Sequence, residues 1–199
     1  MLSAVCCRRE DDILEFAHFV ELAFLPCLGL AVAIGIAWRR VADARLRKAM
    51  QIAGALLFFV PQPFVLYLGA YSVQLRLYQQ VLLALWGFGI AALLLIRMRT
   101  AKVKPIPRTL AALVMAGLGV YCGWNVVGDY LLEREPLVGR IDGMRVVHHR
   151  RSPDSYQVLI ARQPHDIPLD LAVTLRPGDQ VEAQVGVASG TILAVHRTP

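Results

Sequence analysis

Four long apolar segments constrain this sequence more than any other feature. They cover residues 13–38, 50–71, 75–96 and 110–127. A helix needs about 20 residues to cross a hydrocarbon core of roughly 30 Å. The whole chain of 199 residues is 56% hydrophobic, whereas roughly 45–50% is usual for a soluble domain. We therefore expect an integral membrane protein with four transmembrane helices.

Two basic loops separate these segments and set their predicted orientation. Residues 39–48 and 97–108 together carry ten of the 21 Lys and Arg residues and a single acid, Asp43. Basic residues beside membrane spans stay on the cytoplasmic side. Both loops should therefore face the cytoplasm, with the N-terminus and the C-terminus outside. The chain's size and its Arg-, Ala- and Leu-rich composition favour a bacterial inner membrane.

The sequence changes character near residue 133, which divides it into a transmembrane domain (1–132) and a C-terminal domain (133–199). Short runs with period-two character predict strands at 138–149, 156–162, 180–187 and 191–196. Residues 167–175 predict a further strand with a bend or a short helical turn. Five short strands in about 65 residues favour a small all-β barrel of the OB or SH3-like kind, in a periplasmic or extracellular position. In layout alone, with no shared motif, this order of elements is similar to that of NfeD-type membrane proteins.

The charge of the C-terminal domain argues against binding to nucleic acid. Residues 133–198 hold eight Arg and eight acidic residues, so the net charge of +6 comes from the loops beside the spans. We expect membrane lipids and other membrane protein subunits as partners, and no nucleic acid.

Prolines and glycines predict how the helices bend and pack. Pro61 and Pro63 remove two backbone donors from the second span, so that helix should kink near mid-membrane. The break either shapes helix packing or lines a cavity. Gly119 and Gly123 form a small-xxx-small pair on the fourth span, a pattern that allows close approach of another helix.

Polar residues at the outer ends of the first and fourth helices form the candidate site. These residues are Glu15, His18, Glu21, Tyr121, Asn125 and Asp129. Ionisable groups within a span are costly and usually face protein or water. Three interpretations remain open: contacts between helices or with other subunits, a site for a ligand such as a quinone or lipid headgroup, and a metal site or proton relay.

The sequence predicts neither a metal nor a cofactor. The Glu15-x-x-His18 spacing matches one half of a di-iron carboxylate site, but there is no second copy. His148 and His149 are adjacent on a predicted strand and would point to opposite faces. The four cysteines avoid the C-terminal domain, and the familiar hydrolase, nucleotide-binding and metalloprotease motifs are missing. These observations favour a chain that is not an enzyme.

The sequence therefore predicts a non-catalytic accessory or scaffolding subunit. It would dock on a larger membrane assembly through its helices and its extracytoplasmic β domain. The alternative is a transporter-like or ligand-binding membrane protein, in which the Pro61–Pro63 break and the outer polar residues form a cavity for a quinone, a lipid headgroup or a metal.

Overall fold

A computed structural model describes residues 2–100, 106–134, 136–148 and 154–198. Within them, four helical stretches are long and apolar enough to cross a membrane: Asp12–Arg40, Ala44–Leu68, Val73–Arg97 and Arg108–Tyr130. The prediction of four candidate membrane-spanning helices is thus confirmed. The middle of the second basic loop and His149 lie outside the described residues.

The chain divides into two units after Arg76. The helices of the first unit are α1 (Leu2–Ala37), α2 (Ala44–Phe59) and α3 (Pro61–Leu68), with a 3-10 turn, Trp38–Arg40, after α1. Helix α1 packs against α2 and α3 along a narrow stripe. The buried residues of that stripe follow helical spacing and are Ala17, Val20, Phe24 and Ala31. The rings of Phe16 and of Phe64 on α3 form a T-shaped pair, with the ring centroids 5.8 Å apart.

The second unit begins within α4 (Val73–Thr100) and contains α5 (Ile106–Tyr130) and the C-terminal β domain. The strands of that domain are β1 (Pro136–Val147), β2 (Ser155–Ile160), β3 (Gln163–Ile167), β4 (Gln180–Val185) and β5 (Ile192–Arg197). A short helix, α6 (Leu169–Ala172), lies between β3 and β4.

The five strands form one antiparallel sheet in the order β3-β2-β1-β4-β5. The long strand β1 pairs with β4 through residues 136–140 and with β2 through residues 141–147. An irregularity between Ile141 and Gly143 separates the two halves and leaves Asp142 as the extra residue. Strands β3 and β5 are the edges, so the sheet is not closed. The β domain is confirmed, and its type as an OB or SH3-like barrel stays a prediction.

Apolar side chains on one face of the sheet form the core of the β domain. Its buried members are Ile141, Val158, Ile160, Ile167, Ala172, Leu175, Val181, Ala183 and Ile192. In β2 and β4 they alternate with exposed or half-buried residues, as a sheet with one covered face requires, whereas in β5 the adjacent residues Ile192 and Leu193 are both buried. Helix α6 contributes Ala172 to this core, in the segment where the sequence predicts either a strand with a bend or a short helical turn.

The turn between β2 and β3 has an unusual sequence for its geometry. Ala161 and Arg162 both have positive φ, 51° and 65°. They form a two-residue hairpin turn of the kind that favours Asn-Gly. The backbone N–H of Arg162 donates to Asp142 Oδ2 at 2.7 Å. Because neither residue is a usual turn former, the sequence pattern does not predict β3 at this position.

This turn gives a first prediction. Replacing Ala161-Arg162 with Asn-Gly should stabilise the β domain by about 1 kcal/mol, because side chains other than Asn, Asp and Gly are disfavoured in the left-handed region. The hydrogen bond to Asp142 uses the backbone and is retained. The thermal unfolding midpoint of the full chain in detergent should rise. Gln163→Gly, at the first residue of β3, is the control and should lower it; an unchanged or lower midpoint for Asn-Gly contradicts the strain argument.

Candidate functional site

Asp129, near the end of α5, joins the helix to the β domain. Only 4% of this residue is exposed. Its Oδ1 atom accepts hydrogen bonds from the backbone N–H groups of Ala188 and Ser189, each at 3.0 Å. These two residues lie in the loop between β4 and β5, about 60 positions further along the chain. A carboxylate that accepts two backbone N–H bonds is a charge-assisted contact, stronger than a neutral one.

Two glycines allow this contact to form. A Cβ atom at Gly186 would lie 2.5 Å from Asp129 Oδ1, closer than real atoms approach. A Cβ atom at Gly128 would lie 2.6 Å from the Cβ of Ala188. Both positions therefore require glycine because the helix end and the loop touch. We call this contact, made by Gly128, Asp129, Gly186, Ala188 and Ser189, the helix–loop joint.

The loop is closed by its own hydrogen bonds. Gly186 N–H donates to the carbonyl of Thr191 at 2.8 Å, and Gly190 N–H donates to the carbonyl of Gly186 at 2.9 Å. Gly190 has a φ of 67°, which glycine adopts without strain. The amide of Thr191 is bound by the Ser189 hydroxyl at 3.2 Å. The amides of Ala188 and Ser189 remain directed at Asp129, so the loop presents a small anion-binding surface to the helix end.

The other polar residues of α5 differ in their surroundings. Asn125 is buried, like Asp129, whereas Tyr121 is 64% exposed. The helical spacing that places all three on one stripe therefore does not bring Tyr121 into the joint. Its ring lies exposed on the surface of the candidate span Arg108–Tyr130.

On α1, His18 and Glu21 contact each other. His18 Nδ1 lies 3.2 Å from Glu21 Oε2, one helical turn away. The histidine side chain is largely exposed and the glutamate side chain is mostly buried. Glu15 is exposed. The structure thus brings together two of the three residues predicted for this helix.

Helices α4 and α5 approach each other backbone to backbone. A Cβ atom at Gly87 would lie 2.7 Å from both the Gly119 nitrogen and the Met115 carbonyl oxygen. The ring of Phe88 covers Gly119, with its atoms 3.1–3.2 Å from where a Cβ would stand. Gly123 has open space around it. Gly87 was not singled out from the sequence, where its apolar surroundings give no sign of a partner.

The two prolines stand where the second span is interrupted. Helix α2 ends at Phe59, Val60 is the residue between the helices, and Pro61 is the first residue of α3. Gln62, between the prolines, is buried, with 4% of its surface exposed. Its Nε2 atom has no hydrogen-bond partner among the described residues. The prolines are evident from the sequence, whereas no sequence pattern marks Gln62 as a buried amide.

The β domain holds a separate exposed pair. His148 Nδ1 lies 2.9 Å from Asp154 Oδ2, and both side chains are partly or largely exposed. Among the described residues, no group of three or more His, Cys, Asp and Glu side chains is arranged to hold a metal ion.

Comparison with models of known protein families, with curated proteins and with solved structures finds no match. The functional interpretation therefore rests on the residues themselves. Of the six predicted polar residues, Asp129 makes the contact that links distant parts of the chain.

Proposed function

We propose that this chain is a non-catalytic integral membrane protein that serves as an accessory or scaffolding subunit. It docks on a larger membrane assembly through its helices and displays its β domain to a partner on the outer side. The proposal places the chain in a bacterial inner membrane, with both termini outside and the β domain in the periplasm.

The helix–loop joint is the observation that carries this proposal. Asp129 fixes the β4–β5 loop to the end of a candidate membrane-spanning helix through two charge-assisted bonds. Glycines at 128 and 186 remove the side chains that would keep the two surfaces apart. A β domain attached in this way has a defined position on α5. A fixed position favours docking, because a domain that is already held in place loses less conformational freedom when a partner binds than a freely moving one does.

Helix α2 supports the same proposal from the membrane side. All of its residues are described, and none of them is buried. Ile52, Leu56 and Phe59 each expose more than half of their surface. Such a helix offers its apolar surface to lipid or to the helices of another subunit. The proposal assigns part of this surface to a subunit contact.

The orientation follows from the charge of the two basic loops. Residues 39–48 and 97–108 lie between candidate spans and are rich in Lys and Arg. The positive-inside rule keeps such loops in the cytoplasm, and the proposal therefore assigns the β domain to the opposite side.

Thiol labelling tests this orientation. A membrane-impermeant thiol reagent applied to intact spheroplasts should label a cysteine introduced at Val138 of β1.

Site-specific photo-crosslinking tests the docking proposal. A photoreactive amino acid at Leu56 on α2 and another at Val138 on β1 both occupy exposed positions. In native membranes we expect each to join the chain to a second membrane protein, identified by mass spectrometry. The control is position 161, in the β2–β3 turn, where no partner contact is proposed. Crosslinks only to lipid or to another copy of the chain, at both positions, contradict the proposal.

A ligand-binding role is the second candidate, and Gln62 favours it. The Nε2 donor of this buried amide lies beside the break between α2 and α3 and has no hydrogen-bond partner in the described part of the chain. In the same unit, His18 and Glu21 form a polar pair on α1.

Replacing His18 and Glu21 with leucine distinguishes the two candidates. If the chain is a ligand-binding protein, the change should abolish ligand binding and preserve partner association. In a docking subunit the same change should weaken association.

A further inference from the structure

The first basic loop is folded by two of its own charged residues. Arg47 donates from its guanidinium to the carbonyl of Val41, at 3.0 and 2.7 Å. Asp43 caps the start of α2 by accepting the backbone N–H of Arg45 at 2.8 Å. The loop's single carboxylate and one of its five cations are therefore used to hold the turn in shape.

Four cations remain available on this loop. They are Arg39, Arg40, Arg45 and Lys48, and each is exposed. Among the residues that the structure describes, no ion pair joins any of them to an acid. Four positive side chains that form no ion pair among the described residues, held at the end of two candidate spans, create a preference for an anion.

An apolar groove begins directly beside these charges. It lies between α1 and α2, has a volume of about 190 Å³ and is open on one side. Its lining is apolar apart from Gln51 and includes Gly35, Trp38, Met50 and Gly54. Trp38 connects it to Arg39 and Arg40, because these three residues form the 3-10 turn. A groove of this volume that is open on one side and mainly apolar suits part of a chain-like apolar group.

We propose that this groove and the four cations form a binding site for an anionic phospholipid. Its phosphate contacts Arg39, Arg40, Arg45 and Lys48, and one acyl chain lies in the groove between α1 and α2. Charge complementarity selects the headgroup, since basic clusters at the cytoplasmic ends of membrane helices attract anionic lipids. The apolar lining selects a lipid over a soluble anion. The site lies within the first unit and does not depend on the proposed docking function.

Native mass spectrometry of the delipidated full chain tests this site. Phosphatidylglycerol and phosphatidylcholine with the same acyl chains are titrated separately into the purified protein. We expect one phosphatidylglycerol to be retained at a concentration at least about tenfold lower than that needed for phosphatidylcholine. Arg39→Gln with Arg40→Gln should remove this preference. The matched control, Arg162→Gln with Arg176→Gln, removes the same charge from the β domain and should leave the preference intact.

A second pair of variants tests the groove. Gly35→Leu places a side chain in the groove, where the backbone has open space, and should weaken retention of phosphatidylglycerol. Gly29→Leu adds the same side chain to α1 at another open position, outside the groove, and should have no effect. Equal retention of both lipids overturns the proposal. So does equal weakening by both leucine variants, or displacement of the lipid by millimolar glycerol 3-phosphate, which indicates a site for soluble anions.

Discussion

Replacing Asp129 with alanine is expected to detach the β4–β5 loop from α5 and to lower the free energy of unfolding by about 2–4 kcal/mol. The change leaves the N–H groups of Ala188 and Ser189 without the carboxylate acceptor that they have in this partly buried contact. Hydrogen exchange of these two amides should become faster, and limited proteolysis should cut the loop. Both are measured on the full chain in detergent or nanodiscs.

Asp129→Asn is the matched control for this prediction. Asparagine has nearly the same shape and keeps a carbonyl oxygen that can accept both N–H bonds, although without the negative charge. It should retain most of the protection of the two amides and lose about 1 kcal/mol. If alanine and asparagine behave alike, or if the amides of Ala188 and Ser189 exchange freely in the unmodified protein, the helix–loop joint does not form as described.

Gly87→Ala is expected to separate α4 from α5 and to cost about 3 kcal/mol. The added Cβ would lie 2.7 Å from the backbone of Gly119 and Met115. Backbone atoms cannot rotate away as a side chain can, so the helices must move apart. The lost contact includes Phe88 against Gly119. Thermal unfolding in detergent gives the stability, and a disulfide between cysteines introduced on the two helices reports their separation.

Gly89→Ala is the control for the packing prediction. It lies on the same helix, two residues away, and has nothing within 4 Å of its added Cβ. It should leave stability unchanged or raise it slightly, because alanine favours helix more than glycine does. Equal effects of the two substitutions would show that the cost comes from helix propensity or insertion and not from the contact with α5.

Hydropathy predicts the helices well because it depends on composition over about 20 residues. The four apolar segments become helices of sufficient length to cross a membrane. The spacing of Gly119 from Gly123 indicates a face that permits close packing, but it does not identify the partner. The contact of Gly87 with α5 is shown only by the structure, because the register between two helices depends on side chains from both.

Local patterns in the β domain predict strands better than connections. Alternating apolar residues indicate β1, β2, β4 and β5 within a few residues of their bounds. Strand β3 follows the Ala161-Arg162 turn, whose positive φ values the residue types do not suggest. Strands β3 and β5 are the edges of an open sheet, and β1 pairs with different strands on either side of its irregularity, which no local pattern specifies.

The joint at Asp129 shows where sequence reasoning about the site ends. Helical spacing groups Tyr121, Asn125 and Asp129 on one stripe, yet Tyr121 is exposed and the other two are buried. For Asp129 the partner is the β4–β5 loop, about 60 residues later in the chain. A carboxylate at the end of a span indicates a polar contact. It does not indicate that the partners are two backbone amides.

Native mass spectrometry of the chain after mild extraction from its own membrane tests the central claim most directly. The docking proposal predicts a stoichiometric complex with at least one other membrane protein, and it predicts that Asp129→Ala lowers the yield of that complex more than Asp129→Asn does. A chain that emerges alone, or only with copies of itself, under conditions that preserve other membrane complexes contradicts the proposal, whatever lipid it carries.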